Sequence, residues 1–92
     1  MKLYTMQIRF TKGSIETIVQ YAARVHLNDV TENDRRNALC SHFYASRSAK
    51  KLCNAGYKAS PVKISELGAK DYEEYLEVFS PEVLIIGSPV VQ

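Results

Sequence analysis

The chain has 92 residues, 46% of them apolar and 24% charged, with a formal net charge of +2. That length makes one domain, 1–92, with one modest core, and the composition is that of an ordinary globular protein. It holds no apolar run of about 18 residues to cross a membrane, and its two cysteines are too few for a disulfide scaffold.

Residues 3–10 alternate, with Tyr4, Met6, Ile8 and Phe10 on one side and Thr5, Gln7 and Arg9 on the other. This is the pattern of a half-buried strand. Gln7 and Arg9 also interrupt the apolar stretch that a secretion signal needs, so a cytoplasmic chain with reduced thiols is expected. Thr11-Lys12-Gly13-Ser14 marks a turn. Residues 15–27 fit two periods. Ile15, Thr17, Val19, Tyr21, Ala23, Val25 and Leu27 alternate as a strand does, while Ile15, Ile18, Val19, Ala22 and Val25 form a helical stripe with Ser14 as its cap. The β-branched and aromatic content favours the strand, paired with the first as a hairpin.

After a connection at 27–30, Thr31 or Asn33 caps a helix expected to run unbroken to about Asn54. Gly56 then supplies the left-handed residue that ends it. On a helical wheel Ala38, Leu39, His42, Ala45, Ala49, Leu52 and Cys53 share the arc expected to face a sheet. Arg36, Cys40, Phe43, Arg47 and Lys50 fall on the neighbouring arc, flanked by Lys51 and Asn54, with Arg35 near the core edge and Tyr44 just beyond Lys51. Residues 57–64 read as a strand whose Pro61 belongs at an edge or a bulge. Residues 70–79 read as a short helix with Tyr72, Tyr75, Leu76 and Phe79 inward, a hairpin turning at Ser80-Pro81 being the alternative. Residues 82–87 are a short apolar run expected to form a central strand, and 88–92 a tail. The sum is an α+β fold: a small, mostly antiparallel sheet of three or four strands, one long helix packed on one face, and a short second helix.

Charge is distributed unevenly. The net charge is +2 over residues 1–30, +5 over 31–63 and −5 over 64–92. From Arg35 to Lys63 there are seven cations, Arg35, Arg36, Arg47, Lys50, Lys51, Lys58 and Lys63, and no acid. A solvated helix face usually mixes signs at spacings of four, and this one does not. Long basic side chains along a helix suit phosphates or an acidic protein groove, and Tyr44 beside them suits stacking on a base. The acids from Glu66 to Glu82 are free either to meet a partner or to neutralise the chain's own cations.

No constellation for chemistry emerges. Cys40 and His42 point about 200° apart on a helix, and His42 and Cys53 are separated by roughly 16 Å of helical rise. Neither arrangement makes a thiolate–imidazole pair or a zinc site. The four glycines are isolated, so no loop cradles a phosphate. A non-enzymatic protein without metal, cofactor or small-molecule substrate is expected.

As a whole the chain resembles the small phage-encoded anti-CRISPR proteins, through its length, its basic run Arg35 to Lys63 and its acidic stretch Glu66 to Glu82. That group shares no motif, so no residue role transfers. The resemblance implies a stoichiometric inhibitor in a bacterial cytoplasm whose basic helix docks on a host protein or ribonucleoprotein. A Cascade-type surveillance complex is the first choice, with contacts to RNA or DNA backbone that hinder target binding. Two alternatives stand beside it: a small nucleic-acid-binding regulator, and a structural or oligomeric interaction module.

Overall fold

The computed structural model describes residues 1–26 and 31–87. The connection at 27–30 and the tail at 88–92 lie outside the described residues. The elements are β1 (Lys2–Lys12), β2 (Ile15–Val25), α1 (Glu32–Tyr44), α2 (Arg47–Asn54), β3 (Lys58–Glu66), α3 (Ala69–Phe79) and β4 (Glu82–Ile86). They form an α+β fold with one four-stranded sheet in the order β3-β1-β2-β4.

Of the two readings open for residues 15–27, the strand is found, and it pairs with β1 along its whole length from Lys2↔Val25 to Lys12↔Ile15. The loop is only Gly13-Ser14, with Gly13 at φ 60°. A left-handed first position is what a two-residue turn matched to the strand twist requires. β3 pairs antiparallel with the other side of β1, and its register shifts between Gln7 and Ile8, opposite the Pro61–Lys63 segment. Pro61 thus sits at an edge and beside a bulge, where its missing N–H costs no ladder bond.

Two expectations about the sheet are corrected. It is mixed, because β4 runs parallel to β2. β4 is also an edge strand, not a central one. The cause is the α3 crossover, which carries the chain from the β3 edge over the sheet to the far edge and delivers β4 in the same direction as β2. α3 lies on the face that carries Thr5, Gln20, Ala22 and Arg24. Tyr72 is buried there with Arg24 over its ring at 5.9 Å, and Tyr75 Oη donates to Gln20 Oε1 at 2.6 Å. Leu76 is half-buried, and Phe79, expected inward, is 50% exposed.

The opposite face holds the main core. Tyr4, Met6, Ile8 and Phe10 from β1 join Tyr21, Ala23 and Val25 from β2 and Leu84 and Ile86 from β4. Leu39, Phe43 and Ala49 close it from the helices. Phe43 is fully buried, with its ring edge-on to Phe10 at 6.2 Å and to Tyr21 at 5.5 Å.

The single long helix is the third correction: α1 and α2 are separate helices. Ser46 is extended (φ −66°, ψ 155°) between them. Its buried hydroxyl donates to Phe43 O at 2.6 Å and accepts from Ala49 N at 3.4 Å, so it closes one helix and caps the next. Packing shows what the break does. In an unbroken helix Phe43 and Ala49 lie about 120° apart, at the two margins of one broad face. The break restarts the wheel, and both are fully buried in the core. It also alters the expected faces, since Phe43 is in the core while His42, Ala45 and Cys53 are exposed.

Candidate binding face

The basic segment is positioned by caps at each end of the helix pair. Thr31 Oγ1 accepts from Asp34 N at 3.1 Å and starts α1. α2 ends in a full Schellman arrangement: Gly56 N donates to Cys53 O and Tyr57 N to Leu52 O. Gly56 takes φ 96° there, as its position predicts. Lys12 Nζ donates to the orphan Ala55 O at 2.7 Å and lies 5.8 Å from the Tyr57 ring centre, so β1 holds the same helix end.

The start of α2 is held by a residue far away in sequence. Glu82, the first residue of β4, accepts from Arg47 N at 3.2 Å, Ser48 N at 3.4 Å and Ser48 Oγ at 2.5 Å. Ser48 commits its one proton to the carboxylate, so Tyr21 Oη donates to Ser48 Oγ, at 2.8 Å. A carboxylate on the first amides of a helix meets both free N–H groups and the positive end of the dipole. Tyr21–Ser48–Glu82 thus ties α2 to the two neighbouring strands β2 and β4.

On this frame the expected site residues divide into three groups. Arg35 and Arg36 occupy the first turns of α1 beside a shallow cleft of about 380 Å³, lined also by Tyr4, Glu32, Leu39, Ile64 and Glu66. Arg35 is partly buried. Its Nη1 donates to Tyr4 Oη at 3.3 Å, and its Nε is enclosed without a partner. Arg36 is exposed. Arg47, Lys50 and Lys51 form the second group, all exposed on α2, and Arg47 and Lys51 line one depression with Ser48 and Glu82. Tyr44, at the end of α1, is 47% exposed, with its ring on Phe43 at 4.3 Å.

Lys58 and Lys63 make the third group. They pair with Thr11 and Gln7, so the pleat directs them to the α3 side of the sheet, away from the helix pair. They do not widen the helical patch. The cations that share a side are therefore those of α1 and α2.

Among the described residues, no acid forms an ion pair with these cations. The ion pairs among the described residues are Lys2–Glu66 at 3.0 Å and Arg9–Glu16 at 3.1 Å, both exposed. Neither involves a residue of α1 or α2. Glu82 engages backbone amides and a hydroxyl, as described above. No group of three or more His, Cys, Asp or Glu is placed to hold a metal among the described residues. Cys40 and Cys53 are free thiols. No protein-family model matches the chain, nor does any curated protein or solved structure.

Sequence reasoning missed Ser46, Ser48, Tyr21 and Glu82. Ser46 had a local signal, a capping residue three positions before Ala49 inside a run of small residues. Glu82 had none, because its role depends on which strand lands beside β2.

Proposed function

We propose that the protein is a non-enzymatic binding protein whose α1–α2 side docks on an anionic macromolecular surface, and that the partner is a ribonucleoprotein. The supporting observation is that Arg36, Arg47, Lys50 and Lys51 are exposed and unpaired among the described residues, on capped helices of which α2 is tied to the sheet at both ends. Guanidinium groups held this way lose less freedom on meeting phosphate or carboxylate oxygens than they would on a mobile segment. Desolvated charge-assisted contacts of this kind are also stronger than neutral ones. Arg35 contributes from the cleft, steadied by Tyr4.

The resemblance to phage anti-CRISPR proteins makes the partner a Cascade-type surveillance complex in a bacterial cytoplasm. Binding there blocks access of target DNA. Binding assays with the purified complex, guide RNA alone, and random duplex and single-stranded DNA test this. The expected pattern is tight binding to the assembled complex and weak binding to naked nucleic acid. The triple variant Arg36→Glu, Arg47→Glu, Lys50→Glu should abolish binding while leaving the thermal transition in place. Tight binding to bare duplex, with a salt slope of about 0.9 log units per phosphate contacted, indicates a nucleic-acid regulator instead. Partner binding that survives the triple variant removes the helical face from the mechanism.

A further inference from the structure

The two edges of the sheet are built differently. β3 carries Lys58, Lys63, Pro61 and a bulge, the features by which edge strands discourage pairing. β4 carries none of them, reading Glu82-Val83-Leu84-Ile85-Ile86. The bond from His26 N to Ile86 O shows that Ile86 faces β2 with its backbone. By alternation Glu82 and Leu84 do the same, while Val83 and Ile85 aim their N–H and C=O groups outward. Their side chains lie on the α3 side and are 40% and 60% exposed. Val78 and Phe79 at the end of α3 are exposed as well. Among the described residues the molecule thus offers an apolar edge whose outward donors and acceptors face no further strand.

We infer that this edge pairs with the β4 edge of a second copy of the chain, antiparallel about a two-fold axis at Leu84. The strand is self-complementary in that register. Val83 sits opposite Ile85 of the mate and Ile85 opposite its Val83. These are the outward-facing residues, and in each pair both members exchange N–H···O=C bonds, as an antiparallel hydrogen-bonded pair requires. Four β-branched side chains then meet on one face, and Leu84 meets its own copy on the other. Glu82 falls opposite Ile86, so no like charges confront each other along the ribbon. The β3 edge is a poor substitute mate, because its bulge and proline interrupt the ladder. A two-fold contact of this kind closes on itself, continues one sheet through eight strands, and leaves the basic sides of both copies open.

Sedimentation equilibrium over a wide concentration range, joined to amide hydrogen exchange, tests the pairing. A reversible dimer is expected. The Val83 and Ile85 amides should exchange freely when dilute and become protected as concentration rises. Ile85→Lys, at an exposed position, should keep the fold by circular dichroism and weaken association at least tenfold. The Arg36→Glu, Arg47→Glu, Lys50→Glu variant should dimerise like the parent. A protein that stays monomeric up to millimolar concentration overturns the inference. So does a dimer that survives Ile85→Lys while those two amides exchange at a rate independent of concentration, since the copies then meet through another surface, such as α2 of one on the acidic α3 of the other.

Discussion

Replacing Glu82 by alanine removes one carboxylate and leaves three donors without their acceptor: Arg47 N, Ser48 N and Ser48 Oγ. A hydrogen bond to a charged group contributes about 1.5–3 kcal/mol, and an anion at a partly buried helix N-terminus up to about 2 kcal/mol. These do not add, because the three bonds share one charge and water reaches the exposed Arg47 amide in the variant. A net loss of about 2 kcal/mol is expected. That is a large part of the roughly 5–15 kcal/mol typical of a domain. It corresponds to a fall in Tm of about 8–16 °C at this chain length. Glu82→Gln keeps an acceptor in place but drops the charge, so it should cost about half as much. Urea denaturation of the parent, Glu82→Ala, Glu82→Gln, Ser48→Ala and the Glu82/Ser48 double variant measures all of this. The double-variant cycle should return a coupling of about 1 kcal/mol, since the two residues share a bond. Glu74→Ala, on the exposed side of α3, is the control and should stay within about 0.5 kcal/mol of the parent. If Glu82→Ala is as mild as Glu74→Ala, or the coupling vanishes, the carboxylate does not anchor α2 and the Tyr21–Ser48–Glu82 tie is not what holds its start.

Two further outcomes follow from the structure. Gly56→Ala should cost about 1 kcal/mol or more, because φ 96° is unfavourable for a side chain, whereas the nearest atoms to the added methyl belong to the flexible Lys12 side chain at 3.4 Å; chemical denaturation reads the difference. Burial pushes the Tyr75 hydroxyl above the ordinary tyrosine value of about 10. Its contribution to stability is therefore complete below that value, where both states are protonated, and is lost as pH rises through the higher folded value. Denaturation midpoints measured from pH 8 to 11.5 should decline at the alkaline end, and Tyr75→Phe should flatten part of that decline; an identical slope in the variant removes Tyr75 from the linkage.

Much of this architecture was legible in local patterns. The alternation of residues 3–10, the position of Gly56 and the placement of Pro61 depend on neighbours a few positions away and agree with the structure; the turn expected at 11–14 is narrower, Gly13-Ser14, with Thr11 and Lys12 still paired in β1. The break in the helix is not visible to the wheel, because helical spacing tolerates a two-residue interruption of small residues, Ala45-Ser46. The wheel drawn through Ser46 then carried the error into the faces, placing Phe43 among the cations when it is the centre of the core. The parallel pairing of β4 and its place at the edge depend on where α3 crosses, which no local pattern encodes. The candidate site was legible in part. Its cations were visible as a run without acids, but their separation into a cleft group, an α2 group and a pair of strand lysines on the far face needed the pleat and the break.

The Tyr21–Ser48–Glu82 tie also sets an order of assembly. A chain leaving the ribosome has its first hairpin and both α1 and α2 outside before residue 82 emerges, so the Arg47 and Ser48 amides wait without their carboxylate until β4 has crossed the sheet and docked beside β2. The cationic surface of α2 gains its full set of anchors only as β4 arrives. Fragments that stop short of that strand would carry every arginine and lysine discussed above, yet hold those of α2 less firmly, through Ser46 and Lys12 without Glu82, and would make weaker ligands.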